Sequence, residues 1–306
     1  MKMEYRKIQV TGEGTYIVSL PKKWVKRNNL CKKDVISVIE QGDELLLRLR
    51  EEKEREAEIK IKEDDIEFIS RSLITKYIQG YDTIVITSKN YINPELRRKL
   101  IRISTYLIGL EPFGETKNEL TFKMLMKERR QLMESVERMH EMSILSLKEL
   151  MNDLEIEMYN EDILNGIIQR DNEIDKFYFL ILRQLSSISG FEATVWVQIA
   201  KSIERISDHI EKIAVLTKDC KRMRRKDILV YKELIHMYSD VILALKSRNA
   251  SIANDVLKKI KKFRLTEKKI IDKLSESKGH CILIYESFRR IGEYISDMAE
   301  SVINMS

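Results

Sequence analysis

The sequence predicts a multidomain protein with a small β-rich N-terminal domain, a small α+β middle region and an all-α C-terminal region. The chain has 306 residues, which is enough for two or three domains that each bury a core. Proline occurs three times, the last time at Pro112, and the 194 residues that follow contain only five glycines. A long segment with so few helix breakers is typical of a helical bundle. We therefore place the three regions at about residues 1–50, 55–125 and 128–306.

The composition indicates a cytoplasmic protein. Apolar residues make up 43% of the chain and charged residues 34%. No apolar run approaches the roughly 18 residues of a membrane-spanning helix, and the first ten residues, MKMEYRKIQV, lack the apolar segment of a signal peptide. The three cysteines, Cys31, Cys220 and Cys281, are far apart, so neither a disulfide framework nor a structural zinc site is expected. We expect no membrane insertion.

The positive charge of the chain is concentrated near its N-terminus. The formal net charge is +6, and residues 1–50 contain eleven Lys and Arg against six Asp and Glu, an excess of five. Such an asymmetry indicates an anionic partner for this segment. The alternative is a soluble domain with a modest positive charge and no such partner.

Five short elements are predicted in the N-terminal region. Residues 5–10 (YRKIQV) and 15–20 (TYIVSL) resemble strands, with glycines between them for a turn. Pro21 cannot donate to a sheet ladder but suits the first turn of a helix, which we predict at 22–29 (KKWVKRNN). The segments DVISVIE and LLLRLR form a second hairpin around QGDE. A single β-β-α-β-β unit of this size is too small for a good core, so we expect obligate dimerisation.

The segment GEGTYIVSLPKKWVKRNNLCKKDVISVIEQGDELLLRL resembles the AbrB/SpoVT family of swapped-hairpin DNA-binding domains. In that family a strand that ends in a proline opens a helix, a linker with a K-x-D type of turn follows, and a hairpin closes the unit. The resemblance covers residues 4–50, with Gly14-Thr15 where the family commonly has Gly-Arg. It implies that two copies form an intertwined dimer that binds DNA.

Six basic residues of this segment are the candidate DNA contacts on the shared face that the resemblance implies. They are Arg6, Lys7, Lys22, Lys23, Lys26 and Arg27. Contacts from such residues to phosphates position a protein on a duplex without specifying its sequence. The alternative interpretation is a dimerisation module whose basic helix is only solvated.

The middle region predicts a small α+β unit. Residues 57–62 and 82–88 resemble strands, and residues 64–79 and 94–107 resemble helices, the second with Asn93 as its N-cap. The segments GLEPFGET and ELTFKML could supply two more strands. The region lacks a glycine-rich phosphate loop. A linker or sensor role is compatible with it, and we assign no chemistry to it.

The C-terminal region contains an internal repeat. An apolar stripe with spacings of 4, 3, 4 and 3 predicts a bundle helix, and it consists of Ile199, Ile203, Ile206, Ile210 and Ile213. The segment ERISDHIEKI at 204–213 is matched at six positions by EYISDMAESV at 293–302, 89 residues later. EIDKF and IIDKL correspond in the preceding helices. We therefore predict two three-helix units at about 128–219 and 227–306, joined by the basic run KDCKRMRRKD at 218–227. We interpret this run as a charged linker between helices, and the alternative is a segment that binds phosphate or an acidic partner.

These features resemble the PhoU family, regulators of phosphate uptake that are built from two similar three-helix bundles. The family hallmark is an E/D-x-x-x-D motif on helices of each repeat. Three copies are complete, namely Asp171 with Asp175, Glu204 with Asp208, and Glu293 with Asp297. In the fourth copy, Lys268 stands where Asp171 does, although Asp272 matches Asp175. The resemblance implies that these carboxylates bind iron, manganese or zinc-type ions, with a second site that is weak or empty.

The residues themselves are compatible with metal binding. Side chains at positions i and i+4 share a helix face, so each pair can offer two oxygens to one ion. Oxygen-rich sites suit magnesium, manganese or iron. By helical wheel, Glu204 and Asp208 lie away from the isoleucine stripe, so any site is near the surface or in a groove between helices. His209 is a candidate supplementary ligand, and the alternative is a set of solvated acidic pairs.

Two hypotheses about function follow from these patterns. The first is a phosphate-uptake regulator in which a DNA-binding dimer is coupled to a metal-binding helical domain. The second is an adaptor whose bundle docks on a phosphate transporter ATPase or a signalling protein, while the N-terminal region only dimerises. An enzyme is not expected, because the sequence shows no nucleophile–base pairing, no P-loop and no dinucleotide fingerprint.

Overall fold

The computed structural model describes residues 5–12, 14–41, 44–49, 54–61, 65–126, 132–156, 158–188, 190–218, 223–274 and 281–305. The chain divides into two compact units, Met1–Lys53 and Glu54–Ser306. Within the ranges above, the structure has no helix that is both long and apolar enough to cross a membrane.

The first unit has the predicted β-β-α-β-β order. Its elements are β1 (Gln9–Thr11), β2 (Thr15–Ile17), α1 (Lys22–Arg27), β3 (Ile36–Gln41) and β4 (Glu44–Leu49). β1 pairs antiparallel with β2, and β3 pairs antiparallel with β4. The first two strands are shorter than predicted, because beyond Ile17 the chain leaves the ladder to reach Pro21, the N-cap of α1. Position 13 of the first turn and positions 42 and 43 of the second lie outside the described residues.

The apolar side chains of the first unit face water in a single copy. Among the residues of this unit whose exposure the structure describes, none is buried. Tyr5 is 86% exposed and Tyr16 is 75% exposed, and Val38 and Leu45 of the second hairpin are also exposed. Trp24 of α1 is only half-buried. One copy of this unit therefore gains little hydrophobic stabilisation.

The second unit begins with a four-stranded sheet and two helices. Its elements are β5 (Glu56–Ile61), α2 (Ile66–Ile78), β6 (Thr83–Ser88), α3 (Pro94–Ser104), β7 (Leu110–Glu115) and β8 (Glu119–Met124). The strand order is β5-β6-β8-β7, with β5 parallel to β6 and the other pairs antiparallel. A parallel pair needs a crossover connection, which α2 supplies here. The Asn93 side chain caps α3 by accepting a hydrogen bond from the backbone N–H of Glu95, as predicted.

One face of this sheet packs on the two helices. The strand alternation buries Ile84 and Ile86 of β6 and Phe122 of β8. These residues share one apolar core with Leu73 of α2 and Leu100 of α3. The sheet and its helices therefore have a hydrophobic core of their own, distinct from that of the bundle that follows.

Seven helices follow the sheet in the described part of the chain. They are α4 (Leu132–Asp153), α5 (Glu161–Leu185), α6 (Phe191–Thr217), α7 (Arg225–Tyr231), α8 (Glu233–Ser247), α9 (Ala250–Leu274) and α10 (Cys281–Asn304). The helices α4, α5 and α6 form one three-helix repeat, and α8, α9 and α10 form the other. The predicted fold class is thus confirmed. In the basic run 218–227, residues 219–222 lie outside the described residues, and the run ends within the short helix α7 rather than in a linker.

The two repeats meet where α6 packs against α10. All five isoleucines of the predicted stripe on α6 are fully buried. They share a core with residues of α10 that include Ile291, Ile295, Met298 and Val302. The periodicity in the sequence therefore predicted the buried face of this helix correctly.

Arg183, near the C-terminal end of α5, connects the bundle to the sheet. Its guanidinium donates to the carbonyl oxygens of Tyr77 and Tyr81 at 2.9 and 2.7 Å. It also pairs with the carboxylate of Asp82 at 2.8 Å, and only 11% of the arginine side chain is exposed. A cation at this place suits the C-terminal end of α2, where carbonyl groups point outward.

We expect Arg183→Ala to lower the free energy of unfolding by about 2 to 4 kcal/mol, because it leaves a partly buried carboxylate and two carbonyls without their charged donor. The matched control is Arg138→Ala, which removes an exposed arginine 3.4 Å from Glu141 and should cost under about 0.5 kcal/mol. Chemical denaturation followed by circular dichroism measures both. Equal losses in the two variants would contradict the role of Arg183.

Candidate functional site

The basic residues of α1 lie on one side of that helix. Lys22, Lys23, Lys26 and Arg27 occupy positions i, i+1, i+4 and i+5, and all four are exposed. The half-buried Trp24 lies on the other side. The first turn of α1 contains no acidic residue, and cations at a helix N-terminus oppose the helix dipole. The placement of Lys22 and Lys23 is therefore unfavourable in isolation and favourable next to an anion, whereas Lys26 and Arg27 lie in the last turn, where cations suit the dipole.

Arg6 and Lys7 precede β1, and both are exposed. The Arg6 guanidinium donates to the carbonyl oxygen of Tyr5 at 3.2 Å. The structure describes one copy of the chain, so the shared basic face that two copies would form stays a prediction.

Four predicted metal ligands lie in the groove between α5 and α6. We name Asp171, Asp175, Glu204 and Asp208 the acidic cluster. Each of the four is partly buried. The Ser207 hydroxyl donates to Asp171 Oδ1 at 2.6 Å, so the two helices are also joined by a hydrogen bond. The groove between helices, one of the two predicted placements, is the one observed.

Burial and neighbouring carboxylates raise the pKa values of three members of the acidic cluster. Burial, together with the charges of Asp171, Glu204 and Asp208, raises the pKa of Asp175 to about 7. Burial and the charges of Glu204 and Asp171 raise the pKa of Asp208 to about 6. The pKa of Asp171 is also raised, mainly by burial, although the hydrogen bond from Ser207 opposes the shift. The groove therefore favours bound protons or another cation.

Glu204 already has cationic neighbours. Lys201 Nζ donates to Glu204 Oε1 at 2.6 Å, and Arg205 approaches Oε2 at 3.8 Å. Only 13% of the Glu204 side chain is exposed. Its Oε2 atom accepts no hydrogen bond from the described residues, which leaves a buried acceptor aimed at the groove.

The acidic cluster does not have the geometry of a metal centre. Among the described residues, no three His, Cys, Asp or Glu side chains are placed to hold one ion. Asp171 accepts a hydrogen bond from Ser207, and Glu204 accepts one from Lys201. The carboxylate oxygens of the cluster therefore influence one another through their charges and do not surround a common ion position. Binding of an ion by the acidic cluster would therefore require these side chains to rearrange.

The second repeat differs from the first in its cations. Arg289 and Arg290, one turn before Glu293, both donate to its carboxylate, Arg290 at 2.7 Å. The pKa of Asp297 is raised, mainly by burial. Lys268 and Asp272 of the incomplete motif are both exposed on α9. Two arginines thus neutralise the acid that would have formed the second site.

Glu267 is the buried carboxylate of α9, and the sequence-based analysis did not identify it. It is 2% exposed, and burial raises its pKa to about 7. Glu293 is among the charges that add to this shift. The signal was available, because Phe263, Glu267 and Ile270 follow the spacing of 4 and 3 that marks a buried helix face.

A second missed signal is a cation that repeats with the acids. Lys201 and Arg290 are 89 residues apart, and each lies three residues before its glutamate.

The predicted supplementary ligand His209 stacks on Tyr294 of α10 with ring centroids 5.9 Å apart. Burial lowers the pKa of His209 to about 4, so its ring is neutral at physiological pH.

We expect Asp175→Asn to stabilise the protein more at pH 8 than at pH 4. The folded-state pKa of Asp175 is raised from 3.8 to about 7, so the folded state binds more protons and stability falls as pH rises through this window. A neutral amide removes that loss. Thermal melts at both pH values test this, with Glu173→Gln, an exposed acid of the same helix, as the control. A stabilisation independent of pH would contradict the assignment.

Comparisons with known proteins identify two segments of the chain. Residues 136–217 match the family described as PhoU domain, and residues 9–56 match the family described as antidote-toxin recognition MazE, bacterial antitoxin. The chain is also similar to the phosphate transport system regulatory protein PhoU from Streptococcus pneumoniae. The identity is 18% and the TM-score 0.43, over 57% of this chain and 89% of that one. A search of curated proteins finds no significant match.

The matched ranges agree with the architecture. The PhoU match covers most of α4 and all of α5 and α6, and the MazE match covers the β-β-α-β-β unit. The chain therefore combines a MazE/AbrB-like N-terminal domain with a C-terminal PhoU domain.

Proposed function

We propose that this protein is a cytoplasmic regulator of phosphate uptake. The observation that supports the proposal is the PhoU-domain match at residues 136–217, because the PhoU family regulates phosphate uptake. The proposed role is non-catalytic. In it, the helical bundle binds partners, and the N-terminal domain carries out the regulatory response.

We further propose that the response is transcriptional. The N-terminal domain matches a MazE/AbrB-like family, and its helix α1 presents four exposed cations on one side. Phosphates of a DNA duplex would offset the unfavourable charge of Lys22 and Lys23 at the N-terminus of α1. The alternative is an adaptor that docks on a phosphate transporter ATPase or a signalling protein without touching DNA.

The DNA-binding form is proposed to be a homodimer or a larger assembly. The exposed apolar side chains of the first unit support this proposal, since no residue of this unit whose exposure the structure describes is buried in one copy. Interleaving two copies would remove that surface from water and would place two α1 helices in one particle. A second copy of this unit is thus the simplest partner that could bury these apolar side chains in a hydrophobic core.

The DNA experiment measures binding of unrelated duplexes as a function of salt. We expect replacement of Lys22, Lys23, Lys26 and Arg27 by Ala to weaken binding equally for all sequences. The slope of log K against log salt should flatten by about 0.9 for each lost phosphate contact. The control replaces Lys258, Lys259, Lys261 and Lys262 of α9 by Ala, which removes the same charge elsewhere.

Three results would contradict this proposal. An unchanged slope in the α1 variant would show that α1 does not face phosphate. Absence of parent binding at low salt would favour the adaptor. Light scattering of the same samples that showed a monomer would exclude the dimer.

Metal binding by the acidic cluster is a separate proposal. The raised pKa values of Asp175 and Asp208 support it, because a cation in the groove would neutralise the same charge that protons do. Iron, manganese, zinc or magnesium would require the side chains to converge and Glu204 to leave Lys201. The family resemblance, rather than the present geometry, is its main support.

Elemental analysis of protein purified without chelator tests the metal proposal. We expect Asp208→Ala to reduce bound metal strongly, and Asp297→Ala to reduce it less, because Arg289 and Arg290 neutralise the acid next to Asp297. The exposed Asp272→Ala is the control. Melting temperatures should rise with added manganese in the parent and less in Asp208→Ala. Equal metal content and equal shifts would show that the acids bind no ion.

A further inference from the structure

A cleft of about 240 Å³ lies between α7 and the C-terminal half of α9. Val230 and the buried Ile270 contribute apolar surface to it. Drug-sized ligands occupy pockets of about 300 to 1,000 Å³, so this cleft suits a smaller molecule. It lies in the second repeat, outside the residues that match either family.

Four cationic side chains line the cleft. Arg224 and Lys226 come from the α7 side, and Lys269 and Lys273 come from α9. The one acid among the lining residues is Asp227, so the lining has three more positive than negative charges. We name this cleft and its four cations the basic cleft.

The cations on α9 are placed by helical periodicity. Thr266, Lys269, Ile270 and Lys273 follow the spacing i, i+3, i+4 and i+7, which puts them on one face. Lys269 and Lys273 are like charges one turn apart, an arrangement that destabilises a helix slightly. Among the described residues, neither of them nor Lys226 has an ion-pair partner. Within the part of the chain that the structure describes, the repulsion between these lysines is therefore not offset by an ion pair.

Arg224 is held in position by a buried acid. Asp227 is 2% exposed, and its Oδ2 atom accepts hydrogen bonds from Arg224 Nε at 2.7 Å and from the Tyr285 hydroxyl at 3.0 Å. The bond to Asp227 uses Nε, and Arg224 also interacts with the Tyr285 hydroxyl, so two groups of the protein fix the orientation of its guanidinium. An arginine held in this way offers a fixed fork of donors that matches the oxygens of a phosphate group.

We propose that the basic cleft binds a small oxyanion of the phosphate class, inorganic phosphate or pyrophosphate. The oxyanion would accept from the Arg224 fork and would neutralise Lys226, Lys269 and Lys273. The inference rests on the charge and size of the cleft. It goes beyond the proposed function, because it requires neither DNA binding nor a metal in the acidic cluster.

Isothermal titration of the full chain tests the proposal, first with inorganic phosphate and then with pyrophosphate, at an ionic strength held constant with sodium chloride. We expect saturable binding to the parent protein. The double variant Lys269→Ala/Lys273→Ala should lose at least about tenfold in affinity, or about 1.4 kcal/mol. All substituted lysines are exposed, so the variants should fold, as circular dichroism will verify.

The matched control is Lys261→Ala/Lys262→Ala, which removes the same charge from the same helix outside the cleft. Its affinity should stay within about twofold of the parent, as expected for exposed charges. Equal losses in both double variants would show only a general charge effect and would overturn the proposal. Absence of saturable parent binding of either anion up to about 10 mM would also overturn it.

Discussion

The apolar contact between α6 and α10 is the interaction on which the helical part of the protein depends. Fully burying an isoleucine contributes about 1.5 to 3 kcal/mol, and five isoleucines of α6 are fully buried. The same contact joins the two repeats, because the stripe on α6 and the apolar residues of α10 belong to one core. Because this face of each helix is buried, the positions of the polar residues on the two helices follow from it.

The position of the acids follows from that commitment. Since the stripe takes positions such as Ile203 and Ile206, Glu204 and Asp208 must lie on the flank that α5 covers. The repeat imposes the same flank on Glu293 and Asp297 of α10. The two flanks differ in their cations, since Glu204 accepts from Lys201 whereas Glu293 is bound by two arginines. Glu204 and Glu293, which occupy equivalent positions in the two repeats, therefore differ in how strongly cations of the protein already neutralise them.

The sequence predicted the elements well because their signals are local. Helical periodicity on α6, the Asn93 cap of α3 and the proline before α1 each specify a boundary or a face through neighbouring residues. Contacts between distant segments could not be predicted in this way. The ion pair between Arg183 and Asp82 joins residues 101 positions apart, and no repeated sequence pattern predicts it.

The acidic sites were predicted in part for the same reason. Aligning the repeats by sequence pointed to Asp272, which is exposed, and missed Glu267, which is buried. The alignment of the repeats identified the residues that match the motif. The burial of each residue of α9, however, depends on which face of that helix packs against α10. For the basic cleft, the sequence offered phosphate binding only as an alternative for the run 218–227, and the contribution of Lys269 and Lys273 could not be predicted, because α9 meets this run only in the folded chain.

Three places in this chain violate local rules of charge, and each violation has the same physical form. Cations occupy the first turn of α1 against its dipole, the acidic cluster gathers carboxylates in a partly buried groove, and the basic cleft sets lysines one turn apart. Each arrangement costs stability in the isolated chain and is relieved by a partner of opposite charge. Stable folds tolerate such conflicts mainly where function requires them. Under the functions proposed above, the first and third conflicts would select anions and the second would select cations or protons, so a change in phosphate or metal would act on different parts of one chain.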